Sequence, residues 1–181
     1  NAIRLLGVSV DSWGTLVESH FERYALRLGT DVFERGRLGA AAISRLESIC
    51  KLIVQEMKEL NIKQYRAVAT SAMRDAENGD QVVDYIFGAT GLKLEIISGI
   101  EESAIAKRAL LRSVGGADPE TILLDLGGGS LELDRPDGSS PISLPFGTVR
   151  LLSDYPVFQE PMSPAALLEV RGKLRERLYS A

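Results

Sequence analysis

Residues 122–134, ILLDLGGGSLELD, set the tightest limit on what this chain can fold into. An apolar run, three glycines and a second alternating run read as two strands joined by a tight turn, with Asp125 before the glycines and Glu132 after them. Strand rather than helix follows the glycines, and no G-x-G-x-x-G or G-K-[ST] pattern is present, so the segment suits neither a dinucleotide fingerprint nor a P-loop. Residues without Cβ let backbone N–H groups converge and let a phosphate approach the main chain, which makes Gly127, Gly128, Gly129 and Ser130 a candidate anion cradle. Asp125 and Glu132 add hard oxygen ligands, suited to Mg2+ bridging to phosphate rather than to zinc. Spacing alone fits equally well a flexible turn with exposed acids.

The rest of the chain alternates strands with helices. AIRLLGVSV and LVESHFERYAL flank DSWG and read as an antiparallel hairpin, and RLGTDVFERGRLG reads as a glycine-punctuated loop. From Ala40 to Leu60, apolar residues recur at steps of three and four (Ile43, Leu46, Ile49, Cys50, Ile53, Val54, Met57), the pattern of an amphipathic helix. YRAVAT is a strand, SAMRDAENGDQVVDYIFGATG a helical stretch capped by Gly91, LKLEIIS a strand and EESAIAKRALLRSV a helix. That order predicts an α/β protein with a partly parallel sheet. GGADPET, residues 115–121, breaks the pattern and sets a lobe boundary, with residues 1–117 before it and 118–181 after it. A closing helix starts at Pro164 behind Ser163 as N-cap, with Leu167, Val170, Leu174 and Leu178 on one face.

Two further places carry chemistry. In IISGIEES, residues 96–103, Glu101 and Glu102 open a helix, where the helix dipole favours carboxylates; the same position suits a general base. In TSAMRDA, Arg74 follows a short strand and offers a planar fork to phosphate oxygens, or to an ordinary ion pair. Lys107, Arg108 and Arg112 give a local positive field or a solvated face.

Composition narrows the function classes. The 181 residues are 45% hydrophobic and 25% charged with a net charge of −4, which fits a folded globular protein and argues against a nucleic-acid-coating one. A single cysteine excludes an intrachain disulfide, and its place in the helical pattern predicts a buried thiol in a reducing compartment. The one histidine, His20, reads as a half-exposed sheet residue, so Cys-His catalysis has no support. No run reaches the ~20 apolar residues of a membrane span. The opening NAIRLLGVSV is strand-like rather than a secretory signal, and the expectation is a cytoplasmic protein without a membrane partner.

Together, AVATSAMRDAENG, EIISGIEESA, ILLDLGGGSLEL and PFGTVRLL resemble, in order and spacing, the exopolyphosphatase and guanosine pentaphosphate phosphohydrolase (Ppx/GppA) family, and LRLGTDVFERGRL is similar to its early loop. The resemblance implies the two-lobed fold of actin, sugar kinases and Hsp70 (ribonuclease H-like), with the first strand of lobe one, its D-x-G-S-N loop and much of lobe two lying outside these residues. It implies hydrolysis of terminal phosphate from inorganic polyphosphate or guanosine pentaphosphate by in-line attack of water, with Mg2+ as cofactor. It makes Glu102 the general base, Asp125 and Glu132 the acids around the metal, Gly127 to Ser130 the phosphate loop and Arg74 a phosphate contact. It also admits a homodimer, and little activity from these 181 residues by themselves. Leu131 and Ala104 stand where the family commonly has threonine and arginine. A non-catalytic polyphosphate or nucleotide sensor, and phosphotransfer to a small molecule, are the alternatives the same fold offers.

Overall fold

The reversal at DSWG is made by Asp11, whose carboxylate accepts the backbone N–H groups of Trp13 and Thr15, both at 2.8 Å, while Gly14 takes a φ of 78°. An aspartate there replaces a turn carbonyl, and glycine accepts a left-handed conformation that a side chain resists. The strands so joined, β1 (Ala2–Val10) and β2 (Leu16–Ala25), pair antiparallel with an irregularity at Gly7/Val8. The structure, a computed structural model, describes residues 2–116, 118 and 120–180. The opening Asn1 and the lobe boundary expected at residue 117 lie outside the described residues. By packing, the chain divides into two compact units, Asn1–Ser98 and Gly99–Ala181.

In the first unit the expected loop after the hairpin is instead a helix, α1 (Leu28–Arg35). Gly36, at φ 73°, donates its N–H to the carbonyl of Val32 at 2.8 Å, so the glycine ends a helix rather than marking a loop. Helix α2 (Ala40–Glu59) follows the predicted periodicity and buries Leu46, Cys50 and Ile53. Its Glu56 carboxylate accepts from the Tyr24 hydroxyl and lies 3.3 Å from His20 Nε2, which ties the hairpin to the helix.

Strands β3 (Ala67–Ala69) and β4 (Leu94–Ile96) run parallel, as a helical crossover between them requires. The crossover holds two helices, α3 (Ser71–Asp75) and α4 (Gly79–Thr90), where one stretch was expected. The helical path breaks at Ala76, which is extended at φ −76° and ψ 127°. Beside the break, the buried Asn78 amide accepts the N–H of Leu38 at 2.9 Å and donates to the Leu38 carbonyl at 3.0 Å, which ties the start of α4 to the chain just before α2. Gly79 then abuts α3 so closely that a Cβ would lie 2.2 Å from the Met73 carbonyl oxygen. Gly91, at φ 75°, caps α4 as predicted.

The second unit opens with α5 (Gly99–Ser113) and continues into an antiparallel sheet ordered β5 (Leu123–Leu126), β6 (Leu131–Asp134), β7 (Ile142–Leu144). Helix α6 (Thr148–Asp154), a short 3-10 turn and α7 (Pro164–Tyr179) complete it. Ser163 caps α7 by accepting the N–H of Ala166 at 3.2 Å, as its position predicted. On the predicted apolar face of α7, Val170 is buried, whereas Leu167 and Leu178 are exposed. Among the described residues no helix is long and apolar enough to cross a membrane.

Candidate functional site

The glycine turn is closed by Gly127, whose N–H donates to the Ser130 carbonyl at 2.9 Å. Its remaining carbonyls are taken by α6. Thr148 N–H donates to the Gly127 oxygen at 3.0 Å, Val149 and Arg150 N–H groups to the Gly128 oxygen at 2.8 and 3.1 Å, and Arg150 Nε to the Gly129 oxygen at 2.9 Å. The opening N–H groups of a helix have no partner within it, and here the turn supplies one. None of Gly127, Gly128 and Gly129 has positive φ, so their lack of Cβ serves close approach rather than a left-handed backbone. The approach comes from Gly147: a Cβ there would fall 2.2 Å from the carbonyl group of Gly128 and from the nitrogen of Gly129.

Asp125 and Glu132 are direct cross-strand partners, and Glu132 is in turn opposite Ser143, so the three side chains form one row on one face of the sheet. Asp125 is exposed, whereas Glu132 is 3% exposed and accepts from Ser143 Oγ at 3.1 Å. Asp134 lies on the same face one pleat further on. Helix α5 packs there: Lys107 Nζ is 2.8 Å from Asp134 Oδ1, and Ser103 Oγ is 3.5 Å from Asp134 Oδ2. Glu101 and Glu102, both half-buried, stand in the first turn of that helix. The second unit thus brings the glycine turn, Asp125, Glu132 and the helix bearing Glu102 to one small sheet.

Arg74 belongs to the first unit, where its Nη1 donates to the Ile97 carbonyl at 2.8 Å, just beyond β4. Lys107, read from sequence as field or solvated face, is bound to Asp134 and to the Arg135 carbonyl. Cys50 is buried in the first unit, and that burial pushes its thiol up to about 11, the opposite of an activated nucleophile. Sequence reasoning missed Gly147, Arg150 and Asp134. The first two lie in the PFGTVRLL segment, but their contacts are with a turn distant in sequence.

The donor set bears on the cofactor. Among the described residues no three His, Cys, Asp or Glu side chains cluster as a metal cage. Two carboxylates in one cross-strand row beside a glycine turn suit Mg2+, which keeps water and phosphate oxygens as ligands, and do not suit zinc, which takes three or four protein ligands.

The Ppx/GppA phosphatase family model matches residues 14–181. The chain belongs to that family. Exopolyphosphatase 2 of Mycobacterium tuberculosis is 33% identical over 196 aligned positions, which cover 100% of this chain and 60% of the relative. Exopolyphosphatase 1 of Mycobacterium leprae is 30% identical over 158 positions, covering 86% of this chain and 47% of the relative. The chain therefore spans about half to three-fifths of the length of these relatives. Among solved structures, the Aquifex aeolicus Ppx/GppA family member superposes with a TM-score of 0.71 at 29% identity, over 85% of this chain and 51% of that one. An exopolyphosphatase from Cytophaga hutchinsonii gives a TM-score of 0.90 at 23% identity, over 98% of this chain and 57% of that one, a likeness of fold. The fold is the actin-like α/β fold of Ppx/GppA proteins, as the sequence motifs predicted.

Proposed function

We propose that this Ppx/GppA protein is a phosphoanhydride hydrolase that releases terminal phosphate from inorganic polyphosphate, and from guanosine pentaphosphate by the same chemistry. One observation carries the reading: Asp125 and Glu132 share a row on the sheet face covered by the helix that opens with Glu102, next to the glycine turn. Relatives named exopolyphosphatase and a family named for phosphatases support the reaction class.

In this reading Glu102 accepts a proton from water as the water oxygen bonds to the terminal phosphorus. The bridging P–O bond breaks, and its electron pair stays on the shortened chain. The carbonyl side of the turn is engaged by α6 and the Gly127 amide by Ser130, so the turn meets phosphate oxygens with the amides of Gly128, Gly129 and Ser130, donors that need no reorganisation during reaction. Asp125 and Glu132 would hold Mg2+, which when bound supplies charge neutralisation at the phosphoryl oxygens.

Phosphate release by the natural protein from both substrates is the direct test. Glu102→Gln is expected to lower kcat by about 10²- to 10⁴-fold in a protein that still unfolds cooperatively. Full activity in a folded Glu102→Gln variant would end the general-base assignment. Saturable polyphosphate binding without any released phosphate would replace the hydrolase with a sensor.

A further inference from the structure

Helix α5 is placed on its sheet in an unusual way. A helix on a sheet is ordinarily seated by an apolar stripe. The one fully buried residue of α5 is Ser103, 1% exposed, and the sheet face beneath carries Asp125, Glu132 and Asp134. Ser103 and Lys107, four residues apart and so on one side of the helix, both reach Asp134, which is 8% exposed. Lys107 also donates to the Arg135 carbonyl, and the Arg135 N–H donates to Asp134 Oδ1 at 2.6 Å. Ala106 and Leu110 are half-buried on the same side, and the polar contacts to one carboxylate, above all that of Lys107, add a directional hold on the helix.

We infer that Asp134, through Lys107 and Ser103, is a positioning residue for Glu102. The inference rests on the hydrolase reading. Glu102 directly precedes Ser103, so any slide or rotation that loosens Ser103 from Asp134 moves Glu102 relative to Asp125 and Glu132. Asp134 touches neither substrate nor metal in this scheme.

The test separates position from stability. Asp134→Asn leaves the Lys107 ammonium without its counter-ion and should lower both the melting temperature and kcat. The double variant Lys107→Met, Asp134→Leu removes both charges, and replacing such a pair with apolar groups is often neutral for stability. Positioning predicts that the double variant regains its melting temperature yet keeps a kcat about 10- to 100-fold low, with KM for polyphosphate within about twofold. It also predicts faster amide hydrogen exchange in residues 101–106 of the free protein. A double variant with wild-type kcat and wild-type exchange in those residues would overturn the inference. If the wild-type protein releases no phosphate, the hydrolase reading falls, and the exchange measurement alone still decides whether Asp134 holds the helix.

Discussion

The interior of the first unit is mostly apolar, whereas apolar and polar side chains share the interior of the second. Leu46, Cys50, Met73, Val82 and Ile86 form a single cluster in the first, with Ile86 wholly inaccessible. In the second, Leu123, Leu144, Phe146 and Val170 are buried beside Ser103, Ser130, Glu132 and Asp134. Apolar burial is strong and indifferent to direction, whereas hydrogen bonds and ion pairs hold only at defined geometry and add modestly to net stability. A region that must keep carboxylates and a backbone turn in fixed relation gains from the second kind of interior. Substitutions in the first unit should therefore be felt as stability alone, and those in the second as function as well.

The sharpest attempt to break that contrast is Gly147→Ala. Its Cβ would meet backbone atoms of Gly128 and Gly129 at 2.2 Å, and backbone cannot swing aside as a side-chain tip can. We expect a loss of about 3 kcal/mol in denaturant unfolding, together with at least a tenfold loss of polyphosphate affinity by calorimetry. Normal binding in a stable Gly147→Ala protein would show that the turn geometry is not limiting. Ile86→Ala comes next, with a loss of about 3 kcal/mol and kcat and KM of the folded protein unchanged. A change in kcat there would erase the distinction between the units. The smallest effect concerns Cys50, whose thiol burial raises from 9.0 to about 11. The folded protein keeps this proton at a pH where the unfolded chain releases it, so the stability contribution is full below about pH 9 and declines as pH rises toward 11. Urea unfolding at pH 8 and pH 10.5 should show this decline in wild type and less of it in Cys50→Ala.

Much of the fold is legible because its signals are local. The spacing in α2, the Asp11 and Gly14 reversal, Gly91 and the Ser163–Pro164 start of α7 each lie within a few residues of the structure they specify. Helix α1 was misread because Gly36 looks the same in sequence whether it ends a helix or interrupts a loop; only its φ of 73° and its bond to Val32 tell the two apart. The turn and its acids were legible by the same locality. Arg150 binds Gly129 across 21 positions and Lys107 binds Asp134 across 27, so neither role leaves a mark in any short window. An ion pair buried under a helix and a solvated charge on its surface present the same letter.

The junction at Asn78 has a chemical consequence over the lifetime of the protein. Asn-Gly is the dipeptide that deamidates most readily, through attack of the following nitrogen on the asparagine side chain to give a cyclic imide. Here that side-chain amide is held by both polar groups of Leu38, and the Gly79 nitrogen donates to the Ala76 carbonyl at 2.9 Å. Ageing at this position is thereby confined to molecules that have opened, and a mass increase of about one dalton at Asn78 becomes a slow clock for how often the first unit unfolds.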